Sequence, residues 1–318
     1  PVLLRTYGLA DVDRGEPVGP ETNFRLASVT KQFTAIAILM LEARGALSLE
    51  EKLVSVFPEM PDYAEPIRIR HLLRHTSGLL DYESLIPDTA TVQVVDRDVL
   101  AMMLQVDSTY FPPGTQYRYS NTGYAVLAMI VEKRSGKSFP EFLHDNIFEP
   151  LGMSNTIALV EGVNTVPHRA YGYTVDDNVI KFSDQSLTSA VLGDGGIYSS
   201  LNDLTRWDEA LYGEVLVSRQ RLKEMMTPHL ESYGYGFRID ERNGHKRVHH
   251  TGSTSGFRNV IQRFPEDRLT IIVLTNRSAP DVAPLADEVA NLFLSELVVF
   301  GRSVTWLPPR REGSPQGR

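Results

Sequence analysis

Asn23-Phe24-Arg25-Leu26-Ala27-Ser28-Val29-Thr30-Lys31 runs directly into the apolar-periodic stretch Phe33–Leu41. Phe33, Ile36, Ala37, Met40 and Leu41 recur at helical spacing and Gly45 suits a stop, so the sequence predicts a helix from Ser28 to Ala43. A serine and a lysine three apart at a helix start share one face, with Cβ atoms about 5–6 Å apart. The amine can then take the hydroxyl proton and leave an activated serine, with no histidine involved. The positive end of the helix dipole favours a neutral amine and a developing alkoxide. Taken alone, Ser28 also fits a helix N-cap and Lys31 a solvated surface lysine.

Two further motifs change that balance. Tyr119-Ser120-Asn121 is the only Y-x-N in the chain, and His250-Thr251-Gly252 the only H-T-G or K-T-G. In the order S-x-x-K, Y-x-N, H/K-T-G, the chain resembles the penicillin-recognising serine hydrolases. Within them it is similar to the class C β-lactamase-like group of β-lactamases, DD-carboxypeptidases, D-aminopeptidases and esterases. The resemblance runs from about Asn23 to Asn276. It implies a β-lactamase-like two-lobe fold, an antiparallel sheet flanked by helices with an inserted α-rich lobe.

The pattern along the chain agrees with that α/β (α+β) class. Val2–Tyr7 predicts a first strand, followed by a Gly/Asp/Pro-rich turn region, Gly8 to Pro20. Helices are expected at Ile69–His75, Val99–Val106, from Asn121 to just before Gly136, Phe139–Phe148, and Leu201–Tyr212 with Asn202 or Asp203 as its cap. Tyr233–Asp240, Lys246–His250, Arg258–Phe264 and Leu269–Thr275 are strand-like, and a helix from Val282 to Val298 follows. This order predicts one domain over residues 1–300. Its α/β lobe comes from about 1–50 and 215–300, its α-rich lobe from about 51–214. Residues 301–318 are expected to be a flexible tail.

Composition narrows the function. The 318 residues can bury a large core, and 42% hydrophobic with 23% charged residues is ordinary for a globular protein. A net charge of −8, with no basic cluster among alternating aromatics, disfavours nucleic acid as a partner. The longest apolar runs are strand-length and too short to span a bilayer. The absence of cysteine excludes disulfides and thiol catalysis. The chain begins at Pro1, where relatives would already have formed a helix and a strand, so the N-terminus is expected to be truncated or processed. A periplasmic or secreted location is favoured by the resemblance alone.

The resemblance also assigns roles. Ser28 is the nucleophile that forms an acyl-enzyme. Lys31 is the proton acceptor, or the cation that tunes its partner. Tyr119 acts as base, or as acid toward the leaving group, and Asn121 orients substrate and lysine. His250 stands where many relatives carry lysine, which weakens the permanent positive charge of the wall and disfavours efficient β-lactamase activity. Thr251, Gly252 and Ser253 form the substrate-binding edge, and the backbone N–H groups of Ser28 and Ser253 match the family's oxyanion hole. His75-Thr76-Ser77-Gly78-Leu79 resembles a turn common in the group, and Gly193–Ser200 its Gly-rich cleft rim.

The expected activity is a metal-independent serine hydrolase without cofactor, acting on a small-molecule amide, D-amino-acid peptide, ester or β-lactam. The rivals are a carboxylesterase without peptidase activity and a penicillin-binding sensor that acylates without turnover. His71 and His75 are spaced i,i+4, but the pair lacks the Glu of H-E-x-x-H and a third ligand, so no metal is expected. Arg238 and Arg258 are available to a substrate carboxylate, but no motif anchors either. Asp81 and Tyr82 have no assigned role.

Overall fold

The computed structural model describes residues 3–177 and 179–299. β1 (Leu9–Asp11) and β2 (Glu16–Pro17) form a short antiparallel pair, and β3 (Phe24–Arg25) leads through a 3-10 turn over Ala27–Thr30 into α1 (Lys31–Ala43). There follow α2 (Leu53–Val56), α3 (Ile69–Leu73), α4 (Asp96–Met103), α5 (Asn121–Ser135), α6 (Phe139–Leu143) and α7 (Glu149–Leu151). A π turn over His144–Phe148 joins the last two. Next come β4 (Ile157–Ala158), the antiparallel pair β5 (Tyr173–Asp176) and β6 (Val179–Phe182), α8 (Leu192–Gly195), β7 (Ile197–Ser199), α9 (Leu201–Ala210) and α10 (Arg219–Met225). The chain closes with β8 (Arg238–Arg242), β9 (His245–Thr254), β10 (Phe257–Phe264), β11 (Leu269–Thr275) and α11 (Ala283–Val299).

α1 is the centre of the molecule. Every residue from Lys31 to Leu41 is buried, so the helix is enclosed on all sides rather than amphipathic. α5, α6 and α8 pack against it. Phe33 meets the buried Trp207 of α9 at 4.1 Å between ring centroids, and the Trp207 indole N–H donates to Gln32 Oε1 at 2.9 Å. Burial of one such ring contributes about 2–3 kcal/mol, which fixes the helix that carries the lysine.

The last four strands form an antiparallel sheet in the order β11-β10-β9-β8. α11 covers one face: Ala286, Ala290 and Leu294 pack on Val260, Phe264 and Ile271. β8 pairs with β9 only from His245 to His249, whereas β10 pairs with it from Val248 to Thr254. Thr251 and Ser253 therefore lie along a stretch of β9 that β8 does not pair with.

Several boundaries differ from the sequence expectation. Residues 3–7 form no strand, and the first strand is Leu9–Asp11. The strand expected at Tyr233–Asp240 begins at Arg238, after Gly236 in a left-handed conformation (φ 72°). α4 starts three residues before Val99 because the Asp98 carboxylate accepts the Val95 N–H. The cap of α9 is Ser200, whose Oγ accepts from the Asp203 N–H; the Asp203 carboxylate instead holds Asn155 and Thr156. The expected α-rich stretch 51–214 also carries strands, since β7 and β4 join β3 in one sheet. The expected tail, 301–318, lies outside the described residues.

Candidate active site

Ser28 sits in the 3-10 turn before α1, not in the α-helix itself. Ala27, just ahead of it, holds φ 50°, a left-handed conformation that is uncommon for a residue with a Cβ and clusters at functional sites. The strand bearing Gly252 crosses directly behind: a Cβ there would stand 2.1 Å from the Leu26 carbonyl oxygen. Gly252 thus serves the approach of β9 to the serine's own turn, where the sequence had pointed to approach by substrate.

Lys31 is fully buried, and its ammonium has three acceptors: Ser28 Oγ at 3.1 Å, Asn121 Oδ1 at 2.8 Å and the Asp194 carbonyl oxygen at 2.8 Å. An ammonium has three N–H donors and no acceptor, and here all three are spent. The Tyr119 ring lies with its centroid 4.9 Å from Lys31 Nζ. Its hydroxyl is buried without a hydrogen-bond partner among the described residues. Ser120 caps α5 by accepting from the Gly123 N–H, so Asn121 is the first helical residue and keeps its amide for the site.

Two residues that no motif announced complete this cluster. Glu83 Oε1 accepts from Asn121 Nδ2 at 3.0 Å. Tyr82 donates its hydroxyl to Asp194 Oδ2 at 3.1 Å. Burial raises the Asp194 carboxyl to about 6, against the pull of the Lys31 charge. The Gly-rich segment is itself pinned by Asp96, whose carboxylate accepts the N–H groups of Leu192 and Gly193 at 2.8 and 2.9 Å.

His250 lies behind the wall. Its Nδ1–H donates to the Thr251 carbonyl at 2.7 Å, and its Nε2 accepts the Tyr233 hydroxyl at 3.0 Å. Burial and the nearby Lys31 charge push it down to about 3, so the ring is neutral and both nitrogens are occupied. Thr251 and Ser253 are exposed along the edge. Ser28, Ser253, Thr254, Asn121, Glu83 and Asp194 border one open, solvent-accessible cavity. Thr251 and Gly252 lie outside its lining.

The other expected histidines and arginines are committed elsewhere. His71 Nδ1 accepts the Arg68 N–H and His75 Nδ1 the Ser120 N–H, so each of the i,i+4 pair spends one ring nitrogen on the backbone. Arg258 donates to the carbonyls of Thr254 and Phe257. Arg238 lies over the rings of Tyr119 and Tyr233, at 6.0 and 5.8 Å from their centroids.

These neutral histidines make stability pH-dependent. Burial lowers His71 and His249 to about 4, His250 to about 3, and His75 well below its ordinary value. In the unfolded chain they protonate near 6.5, so the stability they allow is complete above that pH and is lost as pH falls toward 4. Asp96 and Asp194, raised by burial to about 7 and about 6, act in the opposite sense but are fewer. Thermal unfolding is expected at steadily lower temperature from pH 7 to pH 4.5, and His249→Gln should flatten that slope. A melting temperature constant over the range would refute the assignment.

A family model described as Beta-lactamase matches residues 1–294. The chain is 32% identical to Penicillin-binding protein 4* of Bacillus subtilis (strain 168), covering 93% of this chain and 69% of that protein. It is 30% identical to a D-aminopeptidase of Cereibacter sphaeroides (strain KD131 / KCTC 12085), covering 96% of this chain but only 60% of the aminopeptidase. The D-amino acid amidase from Ochrobactrum anthropi SV3, solved with L-phenylalanine amide, is similar with a TM-score of 0.78 at 25% identity, over 91% of this chain and 89% of the amidase. Among the described residues no helix is long and apolar enough to cross a membrane. With the family model matched over nearly the whole described chain and the antiparallel sheet and helices in the expected order, the chain belongs to the Beta-lactamase family.

Proposed function

We propose that this chain is a serine hydrolase that cleaves small amides or short peptides of D-amino acids with a free amino group, through an acyl-enzyme on Ser28. Ser28 Oγ attacks the carbonyl carbon and Tyr119 moves the proton. Lys31 holds the developing charge, and Asn121 orients the amide. The backbone N–H groups of Ser28 and Ser253 hold the oxyanion. Water then releases the acyl group. His250 and Thr251 shape the wall rather than meet substrate charge.

The observation that carries the substrate class is Glu83. A carboxylate lines the cavity beside the nucleophile and is held by Asn121, where the amino group of a bound amino-acid amide needs an acceptor. A substrate carboxylate, in contrast, finds these basic groups committed: His250 is neutral and enclosed, Arg258 of β10 is turned to carbonyl groups, and Arg25, which lines the cavity, donates to Ser189 and Thr254. Likeness to a D-aminopeptidase and a D-amino acid amidase supports the same choice. Glu83→Gln is expected to lower kcat/KM for D-amino acid amides by about 100-fold, the order of one lost charge-assisted contact. It should also shrink the preference for the free amine over the N-acetylated amide. An unchanged preference would exclude Glu83 as the amino-group acceptor and favour the esterase alternative.

A further inference from the structure

We infer that His75 is the positioning residue that aims the Tyr119 phenol at the Ser28–Lys31 pair. The inference rests on the serine-hydrolase function proposed above and extends it to a histidine that function does not use.

His75 holds both flanks of Tyr119. Its carbonyl oxygen accepts the Arg118 N–H at 2.9 Å, and its Nδ1 accepts the Ser120 N–H at 3.1 Å. Its ring lies against the Tyr119 ring with centroids 4.3 Å apart. One residue thus fixes the backbone before the tyrosine, the backbone after it and the plane of the phenol. The same turn is joined to the loop before Tyr119 at two further points: Gly114 N–H to the Thr76 carbonyl and Tyr110 N–H to the Gly78 carbonyl, both at 2.8 Å. Gly78 permits this closeness, since a Cβ there would stand 2.4 Å from the Phe111 carbonyl oxygen.

Two features separate this from an ordinary core histidine. His75 adopts φ 56°, a left-handed conformation that is costly for a residue with a Cβ and persists where the surroundings enforce it. Its Nε2, which carries the proton because Nδ1 accepts, is buried without a partner among the described residues, as is the Tyr119 hydroxyl. Burial and the neighbouring Lys31 and Arg238 charges hold the ring neutral, which keeps Nδ1 free to accept. The rings of Tyr233 and Tyr124 close the remaining sides, at 4.5 and 5.1 Å between centroids.

The test is a double-mutant cycle. Asparagine tolerates a left-handed backbone and can still accept the Ser120 N–H, but His75→Asn removes the stacked ring. His75→Phe keeps a ring and removes the acceptor. Each is measured alone and in a Tyr119→Phe background, with thermal unfolding and steady-state hydrolysis of an amino-acid amide and a nitrophenyl ester. His75→Asn is expected to remain folded, to leave KM within about twofold and to lower kcat about 10- to 100-fold, the order seen when a reacting group is slightly misplaced. In the Tyr119→Phe background the same change should cost less than about twofold, because the aimed group is already gone. Losses that add to those of Tyr119→Phe overturn the inference. So do activities within twofold of wild type for both variants, or loss of the folded state in both, which assigns His75 to the scaffold alone. Hydrolysis that survives Ser28→Ala fails the hydrolase function itself, whereas Ser28-dependent hydrolysis indifferent to His75 fails only the present inference.

Discussion

Ser28→Ala is expected to leave the fold intact and to lower turnover by a factor on the order of 10⁴ or more, the scale at which removing a nucleophile leaves only oxyanion and binding effects. At about 1.4 kcal/mol per decade this is roughly 5–6 kcal/mol of transition-state stabilisation. The fold should tolerate the change because, among the described residues, Ser28 Oγ takes its one side-chain hydrogen bond from Lys31, whose ammonium keeps Asn121 and Asp194 as acceptors. Intact mass after incubation with a penicillin or a slow ester gives the direct reading. An adduct on the wild-type chain and none on Ser28→Ala identifies the acylated atom, and the adduct's decay separates a hydrolase from a penicillin-binding protein that hardly turns over. Equal hydrolysis by the two proteins would remove Ser28 from the mechanism.

The parts of this site legible in the sequence are those governed by short spacing. Ser28 and Lys31 meet because three residues make nearly one helical turn, and Tyr119 and Asn121 emerge together because Ser120 starts a helix between them. The distant partners were not legible: Glu83 reaches Asn121 across 38 residues, and a lone Glu carries no local signal, while the Asp194 contact with Lys31, across 163 residues, is a backbone carbonyl that any residue could supply. The charge of His250 was open for another reason: its neutrality comes from burial and from Tyr233 and Thr251, which no sequence window reports. Gly252 reads in the sequence as part of the substrate-binding edge, and only the chain path shows that Leu26 packs against it. The α9 cap, expected at Asn202 or Asp203 and found at Ser200, reflects competition between neighbouring Ser, Asn and Asp side chains that propensity alone does not decide.

Tyr119→Phe is expected to lower kcat on D-amino acid amides by about 10²- to 10⁴-fold, the usual worth of a positioned acid–base group. The loss on a nitrophenyl ester should be at least tenfold smaller. The reason lies in the hydrogen bonds of Lys31. The proposed mechanism gives the serine proton to Tyr119 because Lys31 Nζ stands as donor to Ser28, Asn121 and Asp194 at once. The Tyr119 ring lies against Lys31 Nζ, and its hydroxyl has no hydrogen-bond partner among the described residues. Amide cleavage needs two proton transfers at this point, one from Ser28 and one onto the departing nitrogen. A nitrophenolate leaves unprotonated, so only the first transfer is lost with the ester. An equal loss on both substrates would confine Tyr119 to the serine proton. No loss on either would return the base role to a neutral Lys31, and with it require that one of the three acceptors release the amine during acylation.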